Sequence, residues 1–187
     1  SPVLHDGKLV VVCDGSKDPF VAAIDAATGK VAWKTPRGVK ARLSHSFVTP
    51  TIAIVNGQAQ VMAPGPDHFA AYDLATGKEL WRASWDGSIT VPFFAAKNGS
   101  WIRATPAYDG KTLYVAGIRD VLVALDGETG KVLWRIDLVK EFDAPAPDFG
   151  FVSSPLVDDT AVYVQAGGGF VKVDKKTGKV LWRALKN

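Results

Sequence analysis

The sequence predicts an all-β fold made of four-stranded antiparallel units, and two repeated signatures lead to this fold class. The first is an eleven-residue string with an aspartate, a Thr-Gly pair and a tryptophan; its aspartates, 48, 53 and 48 residues apart, are Asp25, Asp73, Asp126 and Asp174. The second is a Ser-Pro or Thr-Pro pair upstream of each string, at 1–2, 49–50, 105–106 and 154–155. A period of this length is typical of solenoids, arrays and propellers.

The content of one repeat decides among these architectures. The third repeat contains "TPAY", "TLYVAG", "VLVALD" and "KVLWRIDL", four short runs rich in Val, Leu and Tyr that Gly and Asp turns separate. Such runs predict strands, and the placement of Pro and Gly argues against helical repeats. Four antiparallel strands in about 50 residues form a propeller blade. We therefore expect a single β-propeller segment over 1–187, with blades at about 1–41, 42–90, 104–138 and 152–187 and long loops at 84–104 and 139–153.

The repeated string also predicts how the blades contact one another. Its glycine lies at the tip of the hairpin between the third and fourth strands, where a positive φ is commonly needed. Its tryptophan lies on the outer strand, where an indole can bury a large area and donate one hydrogen bond. We expect each indole to pack between neighbouring blades with its N–H on a main-chain carbonyl. These structural docking residues are Gly29, Trp33, Gly77, Trp81, Gly130, Trp134, Gly178 and Trp182.

Composition limits the class of protein. Charged residues make up 22% and hydrophobic residues 47% of the chain, a balance typical of a globular domain. The net charge of +3 is spread without a dense basic block, which argues against a nucleic-acid partner. No apolar run approaches the roughly 20 residues that a membrane-spanning helix needs. Cys13 is the single cysteine, so the sequence can form no internal disulfide.

The strings "AIDAATGKVAW", "AYDLATGKELW", "ALDGETGKVLW" and "KVDKKTGKVLW" resemble the pyrroloquinoline-quinone (PQQ)-type β-propeller repeat. The resemblance covers essentially the whole chain. It implies a seven- or eight-bladed ring of which these residues supply four blades, completed by further blades of the same chain or by a second copy, or else a small four-bladed ring. It also implies an extracytoplasmic location, periplasmic or secreted. The family includes quinoprotein dehydrogenases and non-catalytic members such as outer-membrane assembly lipoproteins.

The connections predict which face of the blades binds a partner. The first-to-second and third-to-fourth connections are tight turns, whereas the long segments all fall among the second-to-third and blade-to-blade connections. Long loops on a rigid scaffold commonly carry recognition. Within these loops we expect a ligand or partner face with an aromatic rim and a cluster of Arg and His; alternatively, the aromatic side chains form a small core that holds the loop in place. The candidate residues are Arg42, His45, Trp85, Phe93, Trp101, Arg103, Arg119 and Asp120.

We predict no catalytic residues and no metal ligands. Ser44 and Ser46 flank His45, but adjacent residues of an extended chain point to opposite sides and cannot form a nucleophile–base pair. Quinoproteins of the resembled family have a vicinal cysteine pair and a calcium site, and no matching positions occur here. The sequence therefore favours a non-catalytic scaffold that binds a protein or a small ligand. Half of a PQQ- and calcium-dependent oxidoreductase, and a module that binds saccharides or polymers, remain as alternatives.

Overall fold

A computed structural model of the chain describes residues 1–15, 17–40, 48–85, 104–117, 121–144, 153–166 and 168–186. These residues form four separate four-stranded antiparallel sheets, each with its strands in chain order. The fold class that the repeat predicts is thus confirmed. The sixteen strands are, blade by blade: β1 Val3–His5, β2 Lys8–Cys13, β3 Phe20–Asp25 and β4 Val31–Pro36; β5 Thr51–Val55, β6 Gln58–Pro64, β7 Phe69–Asp73 and β8 Glu79–Ala83; β9 Ala107–Tyr108, β10 Thr112–Ala116, β11 Val121–Asp126 and β12 Val132–Asp137; β13 Leu156–Val157, β14 Ala161–Ala166, β15 Gly169–Asp174 and β16 Val180–Ala184.

The proline of each upstream signature marks the start of a blade. Each first strand begins at the residue directly after that proline, because a proline has no N–H to give to a sheet ladder. The first strands of neighbouring blades lie side by side, β1 beside β5 and β9 beside β13. The first strands therefore form the inner side of the array, and the tryptophan-bearing fourth strands form its outer side.

The core consists of three apolar clusters, one between each pair of consecutive blades. Blades one and two meet around Val10, Val21, Val61 and Tyr72, all fully buried. Blades two and three meet around Met62, Phe69, Leu113 and Val123, and blades three and four around Tyr114, Leu122, Val162 and Val171. Because successive strand residues face opposite sides of a sheet, each inner blade contributes one face to each neighbour. In the described parts of the chain, each of the three clusters therefore joins one blade to its nearest neighbour.

The tight turns have the geometry that their residues predict. The β1–β2 turn places Asp6 and Gly7 at φ values of 45° and 69°, and the β5–β6 turn places Asn56 and Gly57 at 50° and 79°. Two successive residues of positive φ are typical of a two-residue hairpin turn. In the third-to-fourth turn of blade one, Asp25 Oδ1 accepts hydrogen bonds from Thr28 N and Thr28 Oγ1, both at 2.7 Å. The same pair of bonds recurs at Asp73, Asp126 and Asp174.

Each fourth strand carries a β-bulge in the same place. The register between third and fourth strands shifts between Ala23 and Ile24, and at the matching positions of the other three blades. One extra residue therefore stands directly before each tryptophan. A bulge increases the local twist of a strand, and here the added twist falls next to the tryptophan.

Among the described residues, a short helix is an element that sequence analysis did not anticipate. Helix α1, Leu138–Phe142, occupies the start of the segment that was expected to be a long loop at 139–153. Asp137 begins the helix by accepting a hydrogen bond from Lys140 N, and Asp143 ends it in the left-handed region. Leu138 is fully buried, so the helix anchors the junction to the cluster between blades three and four. Five residues with one apolar anchor are too few to produce a helical period.

Replacing a covered indole should cost much more stability than replacing an exposed one. Trp33 is 9% exposed and Trp182 is 42% exposed. We expect Trp33→Ala to lower the free energy of unfolding by roughly 3–5 kcal/mol, because it removes a buried aromatic ring. Trp182→Ala should cost about 1 kcal/mol or less, as surface substitutions do. Urea denaturation of the two variants measures both values, and equal losses would contradict the difference in packing.

Candidate functional site

The tryptophan and glycine residues of the repeat come together across three blade interfaces. Trp33 Nε1 donates to the carbonyl oxygen of Leu74 at 2.8 Å, and a Cβ on Gly77 would lie 2.5 Å from the Trp33 ring. Trp81 donates to Gly127 O at 3.2 Å and covers Gly130. Trp134 donates to Lys175 O at 2.9 Å and covers Gly178. Glycine is therefore required at this position for two reasons: the backbone has a positive φ, and the indole lies too close for a Cβ.

The two remaining members of this set lie apart from such contacts. A Cβ on Gly29 would meet no atom within 4 Å among the described residues. Trp182 is 42% exposed; among the described residues its ring stacks on Phe170 and is tilted against Tyr163, both of its own blade, with ring centroids 6.3 and 6.2 Å away. In the described parts of the chain, the first and fourth blades thus each present one uncovered face.

Of the candidate partner residues, Trp85 is the one that the structure describes. Seven of the eight lie outside the described residues, and their assignment stays a prediction; these are Arg42, His45, Phe93, Trp101, Arg103, Arg119 and Asp120. Trp85 is described, is partly buried, and packs against the cluster between blades two and three. Its Nε1 lies 3.9 Å from the Cβ position of Gly117, at the end of β10. Trp85 therefore lies at the long-loop face, but its ring is partly buried against the cluster between blades two and three.

A buried arginine that sequence analysis missed lies at the same face, at the first blade junction. Arg37 follows β4 and is fully buried. Its Nη1 donates to Asp14 Oδ2 at 3.0 Å, and its Nη2 donates to the carbonyl oxygens of Ala63 and Pro64 at 3.2 and 3.0 Å. A Cβ on Gly65 would lie 2.5 Å from this Nη2, so the loop approaches Arg37 where only glycine fits. The guanidinium therefore joins both blades.

A second arginine completes the contact from the other blade. Arg82 Nη2 donates to the Arg37 carbonyl oxygen at 2.6 Å, and Nε and Nη2 of Arg82 bind the two oxygens of Glu79 at 2.9 and 2.7 Å. This forked contact lowers the pKa of the Glu79 carboxyl and raises that of Arg82. We call Asp14, Arg37, Asp67, His68 and Arg82 the arginine cluster.

His68 is the titratable centre of the arginine cluster. His68 Nδ1 lies 2.5 Å from Asp67 Oδ1 and 3.3 Å from Arg82 Nη1. Burial lowers the pKa of His68, the nearby Arg37 and Arg82 charges lower it further, and Asp67 opposes the shift. Nε2 is buried, and no described residue offers it a hydrogen-bond partner. The neutral imidazole is thus the favoured form, with Asp67 positioned to hold its Nδ1 proton.

An imidazole that a carboxylate orients resembles a general base, but its surroundings do not suit that role. The side chain of His68 is only 3% exposed, so a substrate has no access to its free nitrogen. Arg37 is likewise enclosed and already donates to three acceptors. The arginine cluster therefore acts as an anchor: it fixes the loop at 64–68 and the segment at 37–40, where Lys40 N also donates to Asp67 Oδ2 at 2.6 Å.

The sequence contained a signal for this cluster, although a weak one. Arg37 stands between Pro36 and Gly38, and His68 ends the rigid string "PGPDH" in the second-to-third connection of blade two. Both positions lie at strand ends on the long-loop face. The contacts that join the two blades link residues up to 45 positions apart, so no local spacing reveals them.

An outer cleft of about 570 Å³ lies between blades three and four. Its lining includes Arg135, Asp137, Lys140, Glu141 and Lys179. Pockets for small organic ligands are mostly apolar with a few polar groups, so this charged and open cleft does not match that class. Among the residues that the structure describes, no group of three His, Cys, Asp or Glu side chains could hold a metal ion. No helix in those parts is long and apolar enough to cross a membrane.

Four antiparallel blades, packed face to face and joined by indole-on-glycine contacts, define a β-propeller repeat protein. Residues 65–187 match the family described as outer membrane protein assembly factor BamB, and the chain belongs to that family. This match confirms the resemblance to the PQQ-type repeat.

Curated relatives come from two functional groups. The chain is 32% identical over 120 residues to the quinohemoprotein alcohol dehydrogenase ADH IIB of Pseudomonas putida, which covers 60% of this chain and 16% of the relative. It is 29% identical over 151 residues to the outer membrane protein assembly factor BamB of Kangiella koreensis, which covers 79% of this chain and 32% of the relative. The chain thus spans a third or less of the length of these relatives.

A solved structure supports the fold. The crystal structure of BamB from Moraxella catarrhalis matches 97% of this chain and 50% of its own chain, with a TM-score of 0.71. The sequence identity is 18%, so this likeness concerns the architecture alone.

Removing the buried guanidinium should destabilise the chain strongly. We expect Arg37→Leu to lower the free energy of unfolding by roughly 3–5 kcal/mol, because it removes one member of a buried ion pair and the donor to the Ala63 and Pro64 carbonyl oxygens. The control is Lys40→Leu, an exposed basic residue three positions away, which should change stability by about 0.5 kcal/mol or less. Chemical denaturation compares the two variants. A loss for Arg37→Leu no larger than that of the control would contradict the anchoring role.

Stability should fall with acidification through the titration of His68. Its pKa is lower in the folded chain than the ordinary 6.5, so the unfolded chain binds more protons as the pH falls below about 6.5. The His68 contribution is present above pH 6.5 and is lost as the pH falls toward the folded-state pKa. Thermal denaturation between pH 5 and 8 should show this slope for the wild type and a shallower slope for His68→Gln. A slope for His68→Gln as steep as that of the wild type would contradict the assignment to His68.

Proposed function

We propose that the chain is a non-catalytic propeller scaffold that binds a protein partner through its long-loop face in an extracytoplasmic compartment. The observation that carries this proposal is the difference between the two faces. The turn face consists of short turns with the same internal hydrogen bonds in all four blades. The opposite face holds the blade junctions, and the arginine cluster fixes one of them without using an accessible reactive group.

Membership of the BamB family supports the same conclusion. Relatives named as outer membrane protein assembly factors match this chain over 74–82% of its length. The name of these relatives describes assembly rather than chemical conversion. A protein partner at the outer membrane, and a periplasmic location for this chain, follow from that role as proposals.

Photo-crosslinking from the two faces tests the scaffold function. A crosslinking amino acid at Lys40 or Lys140, both exposed on the long-loop face, should form adducts with solubilised outer-membrane proteins. The matched controls are Ala27 and Ala75, exposed residues in the turns of the opposite face, which should form none. Mass spectrometry identifies the adducts. Equal adducts from both faces, or none from Lys40 and Lys140, would contradict a partner on the long-loop face.

The quinoprotein function is the second candidate, and the 32% identity to ADH IIB favours it. The described residues do not fit calcium-bound PQQ: they hold no cluster of carboxylates for a metal, and the sequence has Cys13 as its single cysteine. We therefore derive no catalytic step. Titration of the purified chain with PQQ and Ca²⁺, followed by quinone absorbance, decides the matter. Saturable binding would favour the oxidoreductase.

Binding of saccharides depends on aromatic rings that are free to stack. Trp85 is packed against the cluster between blades two and three, which makes it a poor stacking surface. Quenching of tryptophan fluorescence by oligosaccharides remains the test of this alternative.

A further inference from the structure

The tryptophan of the repeated string is followed in every blade by a basic residue. These four residues are Lys34, Arg82, Arg135 and Arg183. Successive residues of a strand face opposite sides of its sheet, so a tryptophan that faces the following blade leaves its basic neighbour on the side of the preceding one. In blades two and four, this basic residue contacts the segment through which the chain enters the blade.

Arg82 connects two segments of the long-loop face. Its Nη2 donates to the carbonyl oxygen of Arg37, in the segment that leads from blade one into blade two, at 2.6 Å. Its Nη1 lies 3.3 Å from Nδ1 of His68, in the second-to-third connection of blade two. Glu79 holds the guanidinium in this position through bonds of 2.9 and 2.7 Å. One side chain thus contacts both kinds of connection that form the long-loop face.

Arg183 makes an equivalent pair of contacts in blade four, with different partner groups. Its Cζ lies 4.7 Å from the centre of the Phe142 ring, in helix α1 at the junction of blades three and four. A guanidinium over an aromatic ring is attracted to the face of that ring. Nη2 of Arg183 donates to the carbonyl oxygen of Gly168, in the second-to-third connection of blade four, at 3.1 Å. The entering segment and the second-to-third connection are again joined by one side chain.

The second-to-third connection of blade four leaves room for this guanidinium. A Cβ on Gly168 would lie 3.1 Å from Arg183 Nη2, and a Cβ on Gly169 would lie 3.1 Å from Arg183 Nε. Both distances are shorter than an ordinary van der Waals contact. Side chains at these two positions would therefore push Arg183 away from the connection that it binds.

We propose that Arg82 and Arg183 are positioning residues of the partner-binding face, and that each holds the segment through which the chain enters its blade. Arg82 holds 37–40, and Arg183 holds 138–144. The two neighbours in the repeat then have opposite directions of action: the tryptophan binds the blade ahead, and the arginine fixes the junction behind. The role in partner binding rests on the function proposed for the long-loop face, so the test includes one readout that needs no partner.

Hydrogen exchange followed by NMR is that readout. We expect Arg82→Leu to raise the exchange rate of the hydrogen-bonded Lys40 amide about tenfold, the effect of losing one hydrogen bond from a charged donor. The hydrogen-bonded Ala144 amide should keep its rate in this variant. Arg183→Leu should show the reverse pattern, with faster exchange at Ala144 and an unchanged rate at Lys40. Each variant is therefore the control for the other.

Two lysines provide controls for the loss of charge. Lys78 and Lys179 are exposed and precede Arg82 and Arg183 by four positions in the same blades. Lys78→Leu and Lys179→Leu make the same change from a basic to an apolar side chain, but at the turn face. Both variants should leave the exchange rates of the two junction amides unchanged.

The Phe142 ring allows a reciprocal test. Phe142→Leu keeps an apolar side chain but removes the aromatic face, so it should raise the Ala144 exchange rate as Arg183→Leu does. The double variant should show no further increase, because both substitutions remove the same contact. Increases that multiply in the double variant would reveal two separate effects and overturn the assignment for Arg183.

Crosslinking from Lys40 and Lys140 then relates the arginines to partner binding. Arg82→Leu should lose most of the adducts at Lys40 and keep those at Lys140. Arg183→Leu should lose most of the adducts at Lys140 and keep those at Lys40. A substitution that only lowered overall stability would reduce the adducts at both positions together.

The two readouts distinguish failure of this inference from failure of the proposed function. If the wild type forms no adducts at either position, the function proposed for the long-loop face is wrong, and the exchange rates alone decide the positioning role. That role is overturned if an arginine variant leaves its own segment unchanged or affects both amides alike. It is also overturned if the exchange rates change as expected while the adduct yields of a crosslinking wild type do not.

Discussion

The contact of an indole with a glycine turn is the interaction on which the rest of the structure depends. The ring lies so close to the turn that a Cβ on Gly130 would be 2.3 Å from Trp81, and the ring N–H satisfies a carbonyl of the same turn. Apolar burial, a hydrogen bond and a positive φ are thus combined in one place. Because the described strands of different blades share no backbone ladder, this contact and the apolar clusters beside it hold neighbouring sheets together.

The repeat could be predicted from the sequence because its physical requirements are local. Gly77 is needed for a positive φ within its own turn, and Asp73 bonds Thr76 three residues later, so the string alone implies the turn. The prolines of the upstream signatures likewise mark strand starts through their missing N–H. The position of each indole on the next blade follows from the period of the repeat.

The arginine cluster could not be predicted in this way, because it depends on contacts between blades. Arg37 takes its acceptors from Asp14, Ala63 and Pro64, which come together only after two sheets have packed. A basic residue between a proline and a glycine is read from sequence as an exposed loop residue. The helix at Leu138–Phe142 was not predicted for a related reason. Its formation depends on burial of Leu138 and on the caps Asp137 and Asp143, and not on a periodic pattern.

The separation between each indole and its acceptor also has a consequence for synthesis. Trp33 bonds a carbonyl 41 residues further along the chain, and Trp134 bonds one at the same separation. On a ribosome, each new blade therefore emerges with an unprotected indole, which stays uncovered for the few seconds in which the next blade is translated. During synthesis, the most recently completed blade is therefore the one with an exposed indole, and each new blade covers the indole of the blade before it.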